Sequence, residues 1–111
     1  MIRKENDVFI LETLHTTYCF RVMETGHLEH LYYGRRLRLP NGIGVEALIE
    51  KQEFVPGNTN SYDEIHKNIS LEDIRMEMSA YGRGDIREPF IEVVHEDGSY
   101  TSDFVYAAYV Q

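Results

Sequence analysis

The chain has 111 residues, 42% of them hydrophobic, and 11 Lys+Arg against 19 Asp+Glu give a formal net charge of −8. That length supports one domain with a modest core, and the composition argues against disorder. The negative balance disfavours nucleic acid, and no apolar run approaches the roughly 18 residues of a membrane span, so neither is an expected partner.

No secretory h-region follows Arg3 and Lys4, and the single Cys19 cannot form an internal disulfide, which points to the cytoplasm. Eight Tyr and five Phe tilt the fold toward strands, because aromatic side chains pack well on a pleated surface. The expected fold class is all-β. Residues 7–14 read as a strand, with Phe9 and Leu11 facing one way and Val8, Ile10 and Leu14 the other. A short connection around His15 leads to 17–23, where Tyr18, Phe20 and Val22 alternate with Cys19, Arg21 and Met23. Glu24, Thr25, Gly26 and His27 make a tight turn in which Gly26 supplies a positive φ. A strand over 28–33 sets Leu28, His30 and Tyr32 against Glu29, Leu31 and Tyr33, and the three segments form a meander.

Beyond Gly34 lies a cationic cluster, Arg35, Arg36 and Arg38, closed by a turn at Pro40, Asn41 and Gly42. Residues 47–55 read as a polar strand and 56–60 as a loop. Ser70 followed by Asp73 resembles an N-cap with an acid at N3, and Leu71, Ile74 and Met78 keep helical spacing. One short helix is therefore expected near 71–78. Residues 81–89 are irregular, broken by Gly82, Gly84 and Pro89. The clearest hairpin comes last: 90–95 alternates, Asp97 and Gly98 turn, and 101–110 returns.

Local motifs carry little chemistry. On a strand, His27 and His30 project to opposite faces and cannot share a metal, so no metal site is expected. Cys19 sits mid-strand with no helix N-terminus to activate it. Gly42, Ile43 and Gly44 lack the flanking elements of a phosphate loop, and the arginine cluster reads as a solvated loop. Arg83, Gly84 and Asp85 spell an adhesion tripeptide, and Asn68 opens a glycosylation sequon, but nothing suggests secretion. Glu92 with Glu96, or Glu50 with Glu53, form carboxylate pairs without a spacing that singles out an acid and a nucleophile.

Taken together, four blocks are more specific. The run from Thr16 to Val22 with that from Gly26 to Gly34 resembles the opening of bacterial α-galactosidases of glycoside hydrolase family 36. Ser70, Leu71 and Glu72, then the run from Tyr81 to Pro89, resemble the next part of that family; Asp97, Gly98 and Ser99 with the run from Asp103 to Tyr106 resemble a third. The resemblance spans about Phe9 to Tyr106. It implies part of a large N-terminal β-sandwich that precedes a TIM-type catalytic barrel, whose two aspartates act as nucleophile and acid/base. Neither lies in this chain. Residues 1–111 are thus expected to be a single β-sandwich domain, the N-terminal fragment of a cytoplasmic enzyme that hydrolyses terminal α-galactosides such as raffinose or melibiose. It would have no catalytic residue, metal or cofactor of its own and would be inactive alone. In the family this domain helps oligomerisation and reaches over a neighbouring subunit's sugar pocket. By segment position the residues doing so would be Glu50 and Lys67, where the family more often has Asp and Arg. Unpaired sandwich edges also favour a homo-oligomer. The alternative is an autonomous carbohydrate-binding or assembly module acting without a barrel.

Overall fold

A computed structural model of the chain describes residues 1–40, 44–49, 61–81, 84–85 and 89–111. Strands β1 (Ile2–Glu5), β2 (Val8–Glu12), β3 (Thr16–Val22) and β4 (Leu28–Arg35) form one antiparallel sheet in sequence order. Each connection has a local cause. Asn6 adopts φ 55° in the two-residue link between the paired Glu5 and Val8, a conformation Asn tolerates better than most residues. The Thr13 hydroxyl oxygen accepts the N–H groups of His15 and Thr16, at 3.3 and 3.0 Å, and so shapes the β2–β3 turn. Gly26 takes φ 88° and donates to the Met23 carbonyl at 2.8 Å, closing the β3–β4 turn.

Alternation along the strands sorts the side chains onto two faces. On one, Val8, Ile10, Cys19 and Leu31 pack with Val45, and Tyr32, Leu39, Leu48 and Ile49 close over them. Full burial of Ile10 alone stabilises by about 1.5–3 kcal/mol. On the other, Phe9 and Phe20 stack at 5.0 Å, and Tyr106 and Tyr109 lie against Phe9 at 6.0 and 5.2 Å. A second cluster joins Met23, Leu71 and Ile74, with Tyr62, Ile69 and Met76 packed against it. Its chain segment docks on the free edge of β4. His30 N–H donates to the Arg75 carbonyl at 2.7 Å, and Glu77 N–H to that of Leu28 at 2.9 Å.

Several local expectations change. The first strand, β1, carries Arg3, Lys4 and Glu5 and shows no hydrophobic alternation, so its pairing comes from the turn and the β2 edge. Leu14 leaves the strand and is 75% exposed. A bulge interrupts the β3–β4 register: Cys19 pairs with Tyr32 and Phe20 with His30, which leaves Leu31 between them. His30 and Tyr32 therefore lie on opposite faces, although strict alternation put them on one. Val45–Leu48 forms a 3₁₀ turn where a strand was expected to begin at Ala47. The helix expected over 71–78 reduces to a 3₁₀ turn at Leu71–Asp73, because Ile74 is extended and Met76 bridges to Glu29. Ser70 makes no side-chain cap; its buried Oγ has no partner among the described residues.

Two short strands, β5 (Ala80–Tyr81) and β6 (Gly84–Asp85), pair in parallel within the segment read as irregular. The last hairpin keeps its turn and lacks its ladder. Gly98 has φ 82°, and the His95 N–H reaches the Ser99 carbonyl at 2.9 Å, yet residues 92–95 and 101–110 form no strand. Their backbone takes partners elsewhere: Tyr106 N–H donates to Gly26 O at 2.7 Å. The arrangement is all-β, with 3₁₀ turns as its only helical elements among the described residues.

Candidate functional site

The most connected polar cluster centres on His27, which is fully buried in the β3–β4 turn. Its Nε2 lies 2.5 Å from Asp103 Oδ1 and its Nδ1 lies 2.7 Å from the Thr25 hydroxyl. A carboxylate only accepts, so the Nε2–H donates to Asp103, while Nδ1 shares a hydrogen bond with the Thr25 hydroxyl. Tyr62 donates its hydroxyl to Asp103 Oδ2 at 2.7 Å and sets its ring edge-on to His27 at 4.9 Å. Three distant segments meet here. The cluster satisfies every polar group of the His27 ring, so its chemistry is that of a clasp holding the C-terminal segment to the sheet.

A second polar centre lies across the sheet. Tyr18 on β3 and His30 on β4 sit with rings 6.0 Å apart, and His30 Nδ1 donates to Glu77 Oε1 at 2.7 Å. Burial, with a hydrogen bond to the Glu77 carboxylate, pushes the Tyr18 phenol well above its ordinary value. These groups border a cavity of about 290 Å³ lined by Tyr18, Phe20, Leu28, Glu77, Met78 and Phe90. A larger groove of about 780 Å³ runs along the opposite face, where Glu5, Asp7, Glu24 and Glu46 surround Val8, Val45 and Ile49. Its one lining cation among the described residues, Arg21, is paired with the buried Glu29. Among the described residues that groove is an acidic, solvated surface with no convergent donors.

Those residues singled out by sequence that the structure describes are dispersed. Glu50 and Glu53 lie outside the described residues, as do Asn41, Gly42 and Arg83. Lys67 is exposed in the turn after His66, where its backbone carbonyl accepts from Ser61 Oγ at 2.8 Å. Arg35, Arg36 and Arg38 are exposed at the end of β4. His27 and His30 take different carboxylates, Asp103 and Glu77. Among the described residues no three His, Cys, Asp or Glu side chains converge as metal ligands. No helix among them is long and apolar enough to cross a membrane. Burial raises the Cys19 thiol above its ordinary value, with the Glu12 carboxylate adding to the effect. Sequence reasoning missed Glu77, Tyr62 and Asp103 as site residues, and no local pattern marks them. Asp103 appeared only inside a resemblance block.

Comparison with known proteins bears on the whole chain. The family model described as the glycosyl hydrolase family 36 N-terminal domain matches residues 26–111. The bifunctional alpha-galactosidase/sucrose kinase AgaSK of Mediterraneibacter gnavus is 29% identical over 102 residues, 92% of this chain and 10% of that protein. Alpha-galactosidase AgaA of Geobacillus stearothermophilus is 29% identical over 98 residues, 88% of this chain and 13% of its own length. The solved galactosidase domain of AgaSK superposes with a TM-score of 0.77 at 25% identity, covering 97% of this chain and 15% of that one. The chain therefore spans about a tenth of the length of the curated relatives it matches.

Proposed function

The chain belongs to the glycosyl hydrolase family 36 N-terminal domain family, and we propose that it serves as the non-catalytic β-sandwich region of an α-galactosidase. One observation carries this reading. Similarity to two proteins named as α-galactosidases runs along nearly all of this chain while occupying only 10% and 13% of theirs. Bond cleavage then belongs to a barrel domain beyond the shared region, acting on terminal α-galactosides such as raffinose or melibiose. This region holds subunits together in a cytoplasmic homo-oligomer and helps close a neighbouring subunit's sugar pocket, with Glu50 and Lys67 as the residues that approach the sugar.

The exposed apolar surface of the C-terminal third supports the assembly role. Val94, Val105 and Tyr109 are 60%, 53% and 50% exposed, apolar side chains available for a second subunit to cover. The test is a chimera in which this chain replaces the matching region of the Geobacillus enzyme. It should hydrolyse an aryl α-galactoside, and Glu50→Gln or Lys67→Met in that chimera should raise KM more than they lower kcat. A folded chimera without hydrolysis contradicts the reading, and unchanged KM in both variants removes those two residues from the pocket.

A further inference from the structure

An open, largely aromatic pocket lies between β3, β4, Glu77 and Phe90. Hydrogen bonds fix its outer walls: Glu77 N–H to the Leu28 carbonyl at 2.9 Å, Phe90 N–H to the Ser79 hydroxyl at 3.1 Å, and Ile91 N–H to the Ser79 carbonyl at 3.1 Å. Among the described residues the lining is apolar and aromatic except for one carboxylate. Glu77 is oriented by His30 Nδ1 at 2.7 Å. A carboxylate offers about four lone-pair directions, so the bond from His30 leaves Glu77 able to accept from a ligand hydroxyl. Phe90 stands 72% exposed at the rim with its ring open to solvent. An apolar pocket with one held polar group is the usual form of a small-molecule site, and about 290 Å³ lies near the lower end of the range for such pockets.

We propose that this cavity binds one pyranose ring of a neutral sugar, a galactosyl unit in the first instance. A pyranose has an apolar C–H face to lay on Phe90, Phe20 or Tyr18 and hydroxyls on its edge to donate to Glu77. An anionic ligand is opposed by Glu77 and by the net charge of −8. A quaternary ammonium also suits rings beside a carboxylate. Here, however, Glu77 already accepts from His30, and the Tyr18 and Phe20 rings lie side by side at 43° on one sheet face rather than boxing a point charge. The choice of galactose rests on the α-galactosidase reading; the existence of a sugar site rests on the cavity.

The test is an amide-resolved NMR titration of this chain with methyl α-galactoside, with choline chloride run in parallel. Saturable shifts are expected at millimolar sugar on residues 18–20, 28–30, 77–78 and 90. Phe90→Ala, at an exposed rim position, and Glu77→Gln should each weaken binding by roughly tenfold with the spectrum otherwise folded. Leu14→Ala, on the exposed β2–β3 turn, should leave binding unchanged. Absence of saturable sugar shifts, shifts confined to other residues, or the same amides moving with choline alone would each overturn the site. An active chimera with no sugar shift removes this inference and keeps the enzyme reading; a folded, inactive chimera with sugar shifts does the reverse.

Discussion

His27 and Asp103, 76 positions apart, meet at 2.5 Å, and their contact ties the β3–β4 turn to the C-terminal segment. His27→Ala removes a fully buried ring and leaves Asp103 and Thr25 short of a partner. It should cost about 2–4 kcal/mol in urea unfolding, with Asp103→Ala costing less because the carboxylate is partly exposed. The double variant should fall short of additivity by about 1 kcal/mol, the mark of a direct contact.

Gly26 makes the same turn possible. It holds φ 88°, and a Cβ added there would stand 3.1 Å from the Val105 Cβ. Gly98 holds a similar φ of 82° with open space around it. Gly26→Ala should therefore destabilise the chain by more than Gly98→Ala, whose strain cost is about 1 kcal/mol. Thermal melts of the two variants compare them directly; equal losses would mean the Val105 contact does not constrain the turn.

Gly34 and Tyr32 give a related pair. A Cβ at Gly34 would lie 2.9 Å from the Tyr32 hydroxyl, which donates to the Arg35 carbonyl at 2.8 Å. Gly34→Ala should cost about 1 kcal/mol by displacing the ring and breaking that bond. In a Tyr32→Phe background, where the bond is already lost, the same change should cost less. Chemical denaturation of the four proteins closes the cycle.

Much of the sheet was legible because β2 and β3 alternate cleanly: Val8 and Ile10 against Phe9 and Leu11, Cys19 against Tyr18 and Phe20. The Gly26 and Asp97–Gly98 turns were legible from residues that accept positive φ. What escaped has physical reasons. Strand β1 is polar and pairs through its backbone, so no periodicity announces it. The Leu31 bulge flips half of β4 without any local marker. Alternation over 90–95 and 101–110 is compatible with a ladder but does not supply one; the Tyr106 N–H finds Gly26 instead. The two polar centres join residues tens of positions apart, His27 with Asp103 and His30 with Glu77, and such pairs leave no spacing to read.

Cys19 is fully buried, and desolvation holds its thiol above the ordinary value. Burial penalises the thiolate, so less of the reactive form exists in the folded chain at any given pH than in the unfolded one. Reaction with a disulfide reagent near pH 8 should be slow in the native state and fast in denaturant. Equal rates would mean that the β2–β3 face opens freely.

The Asp63 carboxyl is held below its ordinary value, first by the His66 side chain and then by the His66 backbone N–H. A depressed folded value stabilises the 63–66 turn above the ordinary carboxylate range and ceases to do so as pH falls through the lowered one. Carboxyl NMR should show Asp63 titrating below free aspartate, and Asp63→Asn should abolish the acid dependence of the Ile65 and His66 amide shifts. A titration at the ordinary value would contradict the hydrogen-bonded turn.

The central claim is that this chain supplies the non-catalytic N-terminal region of an α-galactosidase. Its most direct measurement is aryl α-galactoside hydrolysis by the chimeric Geobacillus enzyme carrying residues 1–111, beside the isolated chain. The account predicts turnover by the folded chimera and none above background by the chain alone. A folded chimera without turnover, or hydrolysis that tracks with the pure isolated chain, would contradict it.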